Sequence, residues 1–219
     1  MDEKAVIWDL DGVIVDTIPY HAQAWRQLFK EEDKPEPSKE DFGIILGLRD
    51  EDTIKKVFGE ETPPPEVETL SERKEEYFRF QIASKNIEPM PGVAELLSSL
   101  RDNGFHQAVV SSGPMKNVSF LLSSLKIKEL FEAVIASEDV SRGKPDPEGF
   151  LLAAGKMKIN EKRCVVIEDT IPGIRAARRA GMKCVAVTGT YQRKDLAEAD
   201  TVVESLAEIT VKDLEALLE

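Results

Sequence analysis

The sequence predicts an α/β protein: a Rossmann-like, doubly wound parallel sheet with a small all-helical domain inserted after its first strand. Three observations predict it. Short β-branched runs recur along the chain, helical patterns lie between most of them, and one early stretch breaks the alternation. Strands that alternate with helices imply crossover connections, and so a parallel sheet with helices on both faces.

The first run is "KAVIWDL", which continues directly into "DGVIVDT". From about Ile18 to Asn86 no β-branched run of strand length appears. That stretch is rich in Glu and Lys, is amphipathic in "PYHAQAWRQLFKEE", and holds the proline clusters "KPEPSKEDF" and "TPPPEVETL". Residues 18–86 are therefore expected to form the helical insertion, with residues 1–17 and 87–219 making the core. "TPPPE" reads as a stiff turn between helices.

The alternation resumes after Pro89. In "PGVAELLSSLRDNG", Val93, Leu96, Leu97 and Leu100 fall at helical spacing between Pro91 and Gly104. Further strands are expected at "FHQAVVSS", "EAVIAS", "CVVIED", "CVAVTG" and "TVVES", and helices at "PDPEGFLLAAGKMKI" and "IPGIRAARRAGM". Gly181 suits a helix C-terminus.

Composition narrows the function classes. A chain of 219 residues can bury one domain, or one domain and a smaller insertion. No apolar stretch is long enough to span a bilayer, so no membrane partner is expected. No basic-then-apolar N-terminal segment is visible either, and a cytoplasmic location is expected. With 41 acidic against 29 basic residues the net charge is -12, which opposes a nucleic-acid backbone as the main partner. A small phosphorylated ligand stays open, because a local site can reverse the local field. Cys164 and Cys184 each sit inside an apolar run and are expected as buried free thiols; no CxxC spacing is present.

The chemistry-bearing residues stand where the strands end. Ligands of open α/β sheets bind beyond the carboxyl ends of the strands. There the first run supplies Asp9 and Asp11, the second Ser111 and Ser112, and the loop after the third Lys144. The run "CVVIED" supplies Glu168 and Asp169. A buried strand gains nothing from unpaired carboxylates, and like charges so close repel. A cation compensates them, and hard oxygen ligands favour Mg²⁺. One carboxylate can then attack phosphorus, a second can move a proton, and a hydroxyl and an ammonium can neutralise the phosphoryl oxygens.

"DLDGVIVDT", "VVSSG", "GKPDP" and "IEDTIPG", in this order, resemble the four motifs of the haloacid dehalogenase superfamily of phosphatases and mutases. The likeness covers nearly the whole chain, and the insertion resembles that superfamily's helical cap. The resemblance implies Asp9 as nucleophile, Asp11 as general acid and base, and Ser111 and Lys144 on the phosphate. It implies Mg²⁺ on Asp9, Asp169 and the backbone carbonyl of Asp11, with Glu168 helping directly or through water. Dehalogenases and phosphonate-cleaving members lack an acid two residues after the first Asp, so Asp11 points to phosphate esters.

Periodicity does not choose between Ser111 and Ser112; only the resemblance selects Ser111. Either Asp16 or Thr17 could cap the helix that begins near Pro19, a structural role expected ahead of one in the chemistry, and Asn117 reads as an ordinary polar residue early in a helix. His21 lies four residues before Trp25, on one helical face. It either packs near the junction of insertion and core or sits over the site. "YHAQAW" resembles the start of the cap in the β-phosphoglucomutase group. Arg49 is either a surface residue or a contact to a second phosphate or sugar. Members of that mutase group typically carry a lysine before the cap-loop glycine and an arginine three residues after it. Here Leu46 precedes Gly47, and Arg49 follows by two. The expected function is thus a phosphomonoester hydrolase acting on a small phosphorylated metabolite, as a monomer or weak homodimer. A sugar-phosphate mutase is the second reading, and a non-catalytic binding protein a third.

Overall fold

The computed structural model of the chain describes residues 3–36, 38–83 and 85–219. Each of the six β-branched runs forms a strand: β1 (Lys4–Trp8), β2 (Phe105–Val110), β3 (Ala133–Ile135), β4 (Cys164–Glu168), β5 (Lys183–Val187) and β6 (Thr201–Val203). They make one parallel sheet in the order β3-β2-β1-β4-β5-β6. β1 is central, with Ile7 paired to Ala108 of β2 on one side and to Val166 of β4 on the other. The chain winds outward from β1 to β3, then crosses back to β4. The crevice beyond the carboxyl ends of β1 and β4 is therefore where the strand order reverses.

Alternation along the strands sorts their side chains between two apolar layers. Val6, Trp8, Val165 and Ile167 face a layer completed by Leu96, Leu97 and Leu100 of α5 (Val93–Asp102), by Val118, Leu121 and Leu122 of α6 (Met115–Ser124), and by Leu214 of α9 (Val211–Leu217). Ala5, Ile7, Cys164 and Val166 face the opposite layer. There they meet Phe150 and Ala153 of α7 (Glu148–Met157) and Ile174 and Ala177 of α8 (Ile171–Arg179). Both cysteines are buried and free, as expected.

Between β1 and α5 the described residues hold four helices and no strand: α1 (Ile18–Glu31), α2 (Lys39–Leu46), α3 (Asp50–Phe58) and α4 (Pro64–Ile82). They have an apolar cluster of their own, including Trp25, Leu28, Phe29, Ile45, Ile54, Val67 and Leu70. Ala24, Phe78 and Ile82 instead join the layer on the sheet. The proline cluster is not only a turn. Pro64 and Pro65 open α4, where a missing N–H costs nothing and the fixed φ is already helical. Helix α9 has no counterpart among the runs read from the sequence. Thr210 and Asp213 start it, each side chain bonded to the other's backbone N–H (3.3 and 2.8 Å).

Candidate active site

The end of β1 delivers Asp9 and Asp11 to the crevice. The Asp9 N–H donates to the carbonyl of Ile167 (2.9 Å), extending the β1–β4 ladder by one residue and fixing the backbone where the carboxylates begin. Gly12 follows with φ +86°, a conformation that side chains disfavour. A Cβ there would lie 2.2 Å from Oδ2 of Asp169, so the bare glycine lets the β1 loop close onto the β4 loop.

Lys144 is the hub of the buried charges. Its Nζ donates to Oδ1 of Asp9 and, at 2.6 Å, to Oε1 of Glu168. Burial alone would lower the Lys144 pKa, but Asp9 and Glu168 outweigh it and hold the ammonium charged. The other oxygen of Glu168 accepts from the N–H groups of Asp169 and Thr170 and from the Thr170 hydroxyl, all at 2.9 Å. Both of its oxygens are thus engaged within the protein.

Asp9, Glu168 and Asp169 bring one carboxylate oxygen each within 4.8 Å of one another, all buried. One lysine faces three acids. Burial, against the pull of Lys144 and with the repulsion of Glu168 and Asp11, pushes the Asp9 carboxyl up to about 8. Burial, followed by repulsion from Glu168 and Asp9, raises Asp169 well above the ordinary range. Oδ2 of Asp169 accepts from the Thr190 hydroxyl, but its Oδ1 is buried without a hydrogen-bond partner. An orphaned carboxylate oxygen beside two more acids fits a bound hard cation.

Asp11 sits in a different environment. Oδ1 accepts from the Thr17 hydroxyl and lies 3.4 Å from Nε2 of His21; Oδ2 accepts from the Ser111 hydroxyl at 3.2 Å. Burial pushes the carboxyl up, yet hydrogen bonds from His21 and Thr17 prevail and hold it below the ordinary value. Thr17 occupies the N-cap position of α1 but makes no capping bond; its hydroxyl serves Asp11 instead. The expectation of a cap is corrected there: the Thr17 backbone is helical (φ -101°, ψ -8°) rather than extended, so its hydroxyl does not accept from the first turn.

His21 stands over Asp11, stacked on Phe78 with ring centroids 3.9 Å apart. Its Nδ1 lies 3.1 Å from Nζ of Lys74. An ammonium only donates, so Nδ1 accepts and Nε2 carries the proton toward Asp11. Lys74 also donates to Asp50 (2.9 Å) and Glu75 (2.5 Å), and Glu75 accepts from the Asn117 amide on α6. Asn117 is therefore buried and bonded to the insertion.

The paired serines divide. Ser111 faces Asp11 and accepts from the Gly113 N–H (3.0 Å), whereas the Ser112 hydroxyl reaches the Gly47 carbonyl at 3.4 Å. Arg49 lines a cavity with Ser111, Ser112 and Lys144, apart from the one that holds Asp11 and His21. It donates to the Val140 carbonyl (3.2 Å), pairs with Asp52 (3.0 Å) and packs on Gly143. Lys74, Asp50 and Glu75 were not singled out from the sequence. "RKEE" inside an amphipathic helix looks like a solvated charged face, and only the fold buries its Lys74 and Glu75.

Residues 6–187 match the haloacid dehalogenase-like hydrolase family, and the chain belongs to it: it is an enzyme of that hydrolase fold. Among individual relatives, it is 32% identical over 212 residues to a chloroplastic 5-amino-6-(5-phospho-D-ribitylamino)uracil phosphatase of Arabidopsis thaliana. That match takes in 96% of this chain and 57% of the plant protein, so the chain spans little more than half the relative's length. It is also 32% identical over 215 residues to β-phosphoglucomutase of Bacillus subtilis, covering 95% of this chain and 92% of the mutase. A solved β-phosphoglucomutase from Clostridium difficile superposes with a TM-score of 0.88 at 27% identity, over 99% of this chain and 97% of that one. No helix among the described residues is long and apolar enough to cross a membrane.

Proposed function

We propose that this enzyme is a Mg²⁺-dependent phosphomonoester hydrolase acting on a small phosphorylated metabolite. The observation that carries the reading is the unlike treatment of two acids one residue apart. Asp9 is tied to Lys144 among the buried carboxylates, while Asp11 is ringed by the donors Thr17, His21 and Ser111. A bound cation beside Lys144 would return Asp9 to the ionised form that attack needs, and the hydroxyls and imidazole around Asp11 hold its carboxyl where a proton can be exchanged.

In this reading an Asp9 oxygen attacks phosphorus, and the bond from phosphorus to the ester oxygen breaks. The leaving alcohol takes a proton from Asp11, which the arriving phosphate dianion has helped to protonate by repulsion. Asp11, again a carboxylate, then accepts a proton from the water that attacks the aspartyl-phosphate. Inorganic phosphate leaves and Asp9 is restored. Lys144 and Ser111 neutralise phosphoryl oxygens. Asp9, Asp169 and the Asp11 carbonyl would hold the Mg²⁺, with Glu168 acting through Lys144 and the adjoining loop. The ion supplies charge neutralisation that allows a dianion into an acidic site.

Residues 18–86 serve as the cap over the site. Ser112 to Gly47, Asn117 to Glu75, Arg49 to Val140 and His21 to Asp11 are among the contacts through which it closes. Closure excludes water and aligns the substrate.

Phosphate release from a panel of phosphomonoesters, with Mg²⁺ and with chelator, tests the reading. Metal-dependent release from several esters is the expected result. Absence of release from every ester, p-nitrophenyl phosphate included, overturns it. The likeness to β-phosphoglucomutase favours a second reading, in which a sugar rather than water receives the phosphoryl group. Conversion of β-glucose 1-phosphate in the presence of a bisphosphate primer, without net phosphate release, would select it.

A further inference from the structure

The helical insertion touches the core at two places that lie within one residue of Asp169 or of its hydrogen-bond partner. That partner is Thr190, whose hydroxyl donates to Oδ2 of Asp169 and leaves Oδ1 as the unpaired oxygen. Thr190 stands in the loop after β5, and Tyr191 follows it directly. The Tyr191 ring lies against α2: a Cβ on Gly43 would come within 3.2 Å of its Cζ and 3.3 Å of the phenol oxygen. Thr170, next in sequence to Asp169, lies against Gly47, where a Cβ would be 3.1 Å from the threonine side chain. Gly43 and Gly47 are about one helical turn apart. The C-terminal end of α2 thus rests on both loops that hold the carboxylate.

Thr190 engages one oxygen of Asp169 and so fixes which oxygen the carboxylate presents, as outer groups do for metal ligands generally. The neighbouring phenol is in a less settled state. Its hydroxyl is buried with no hydrogen-bond partner among the described residues. Burying it under α2 costs free energy that hydration would return if α2 moved away. The ring therefore has two arrangements, packed under Gly43 or hydrated, and the loop that carries it also carries Thr190. An element with two arrangements, touched at both ends, can couple two sites.

We propose that Thr190 is a positioning residue for the ion-binding carboxylate, and that Tyr191 makes Mg²⁺ affinity depend on how α2 of the insertion is seated. This coupling rests on the Mg²⁺ site put forward above. It is reciprocal: an ion held more tightly with α2 seated also favours the seated insertion.

Mg²⁺ affinity measured by titration calorimetry, without substrate, tests both halves. Thr190→Val, which keeps shape and removes the hydroxyl, is expected to weaken binding by about tenfold, and Thr190→Ser to restore it. Gly43→Leu, which pushes α2 off the ring without touching a ligand of the ion, is expected to weaken binding by about fivefold. In a Tyr191→Ala background, where no ring stands in its way, the same leucine should change nothing. Gly43→Ala, whose Cβ alone crowds the ring, is the milder variant should the leucine not be accommodated. A Thr190→Val protein that binds Mg²⁺ as the wild type does overturns the positioning role. Gly43 variants that leave affinity unchanged, or lower it equally with and without Tyr191, overturn the coupling. Either result leaves the metal site standing if the wild type binds Mg²⁺; a wild type that binds none overturns the metal site and this inference together.

Discussion

Nζ of Lys74 lies 3.1 Å from Nδ1 of His21, and this one contact determines which ring nitrogen faces Asp11. The lysine is only 3% exposed and also answers Asp50 and Glu75. Lys74→Met therefore leaves two buried carboxylates without their cation. A loss of about 3–5 kcal/mol is expected, read from urea denaturation. In protein that remains folded, kcat should fall as well, because nothing then holds the proton on Nε2. A variant as stable as the wild type would show that the cluster is not buried in solution.

Asp9→Asn removes the attacking oxygen while keeping shape and hydrogen-bonding capacity. Turnover should fall by about 10⁴-fold or more, with the far-ultraviolet circular dichroism unchanged. Near-normal activity would end the nucleophile assignment.

Exhaustive chelation should abolish phosphate release, and added Mg²⁺ should restore it. Mg²⁺ is also expected to raise the melting temperature, as any ligand of the native state does. That rise should vanish in Asp169→Asn if the carboxylate whose Oδ1 is buried without a hydrogen-bond partner takes the ion, as proposed. Equal stabilisation of variant and wild type would place the ion elsewhere.

Gly12→Ala combines a disfavoured φ with a Cβ 2.2 Å from the Asp169 carboxylate. Strain of about 1–3 kcal/mol is expected. Activity should drop more steeply than stability, because the group displaced is Asp169. Parallel kinetic and thermal measurements separate the two effects.

Glu148 holds the loop that carries Lys144: its carboxylate accepts from the backbone N–H groups of Ser141 (2.9 Å) and Arg142 (3.0 Å). Those bonds hold its pKa below the ordinary 4.5. A depressed folded-state pKa contributes stability that is fully present above the unfolded value and is lost as pH falls through the folded one. Glu148→Gln should therefore melt below the wild type at pH 7, and the gap should close under acidic conditions, below the folded pKa. A gap independent of pH would mean that the carboxylate charge plays no part.

The sheet was legible because parallel strands buried on both faces are written as short β-branched runs, and all six runs became strands. The residues at the strand ends were legible too, since carboxylates directly after such runs have no structural use. Helix α9 escaped because its amphipathic pattern spans only seven residues. Lys74, Glu75 and Asp50 escaped for a different reason. Their charge and helical setting are those of any exposed face, and only the packing of α4 against α1 and α3 draws them inside. Thr17 was read as a cap because the local rule for a hydroxyl before a helix ignores acceptors six residues upstream. Asp11 is such an acceptor.

The sheet begins and ends on its shortest strands: β3 and β6 are three residues each. An edge strand is a template for pairing with another chain, and its hold grows with the number of unpaired backbone groups in a row. Here a neighbouring molecule finds three positions on either side before the backbone turns away. Side-by-side stacking of sheets into fibrils starts at such edges, so this fold carries little of that hazard while native, even though its interior strands are rich in Val and Ile.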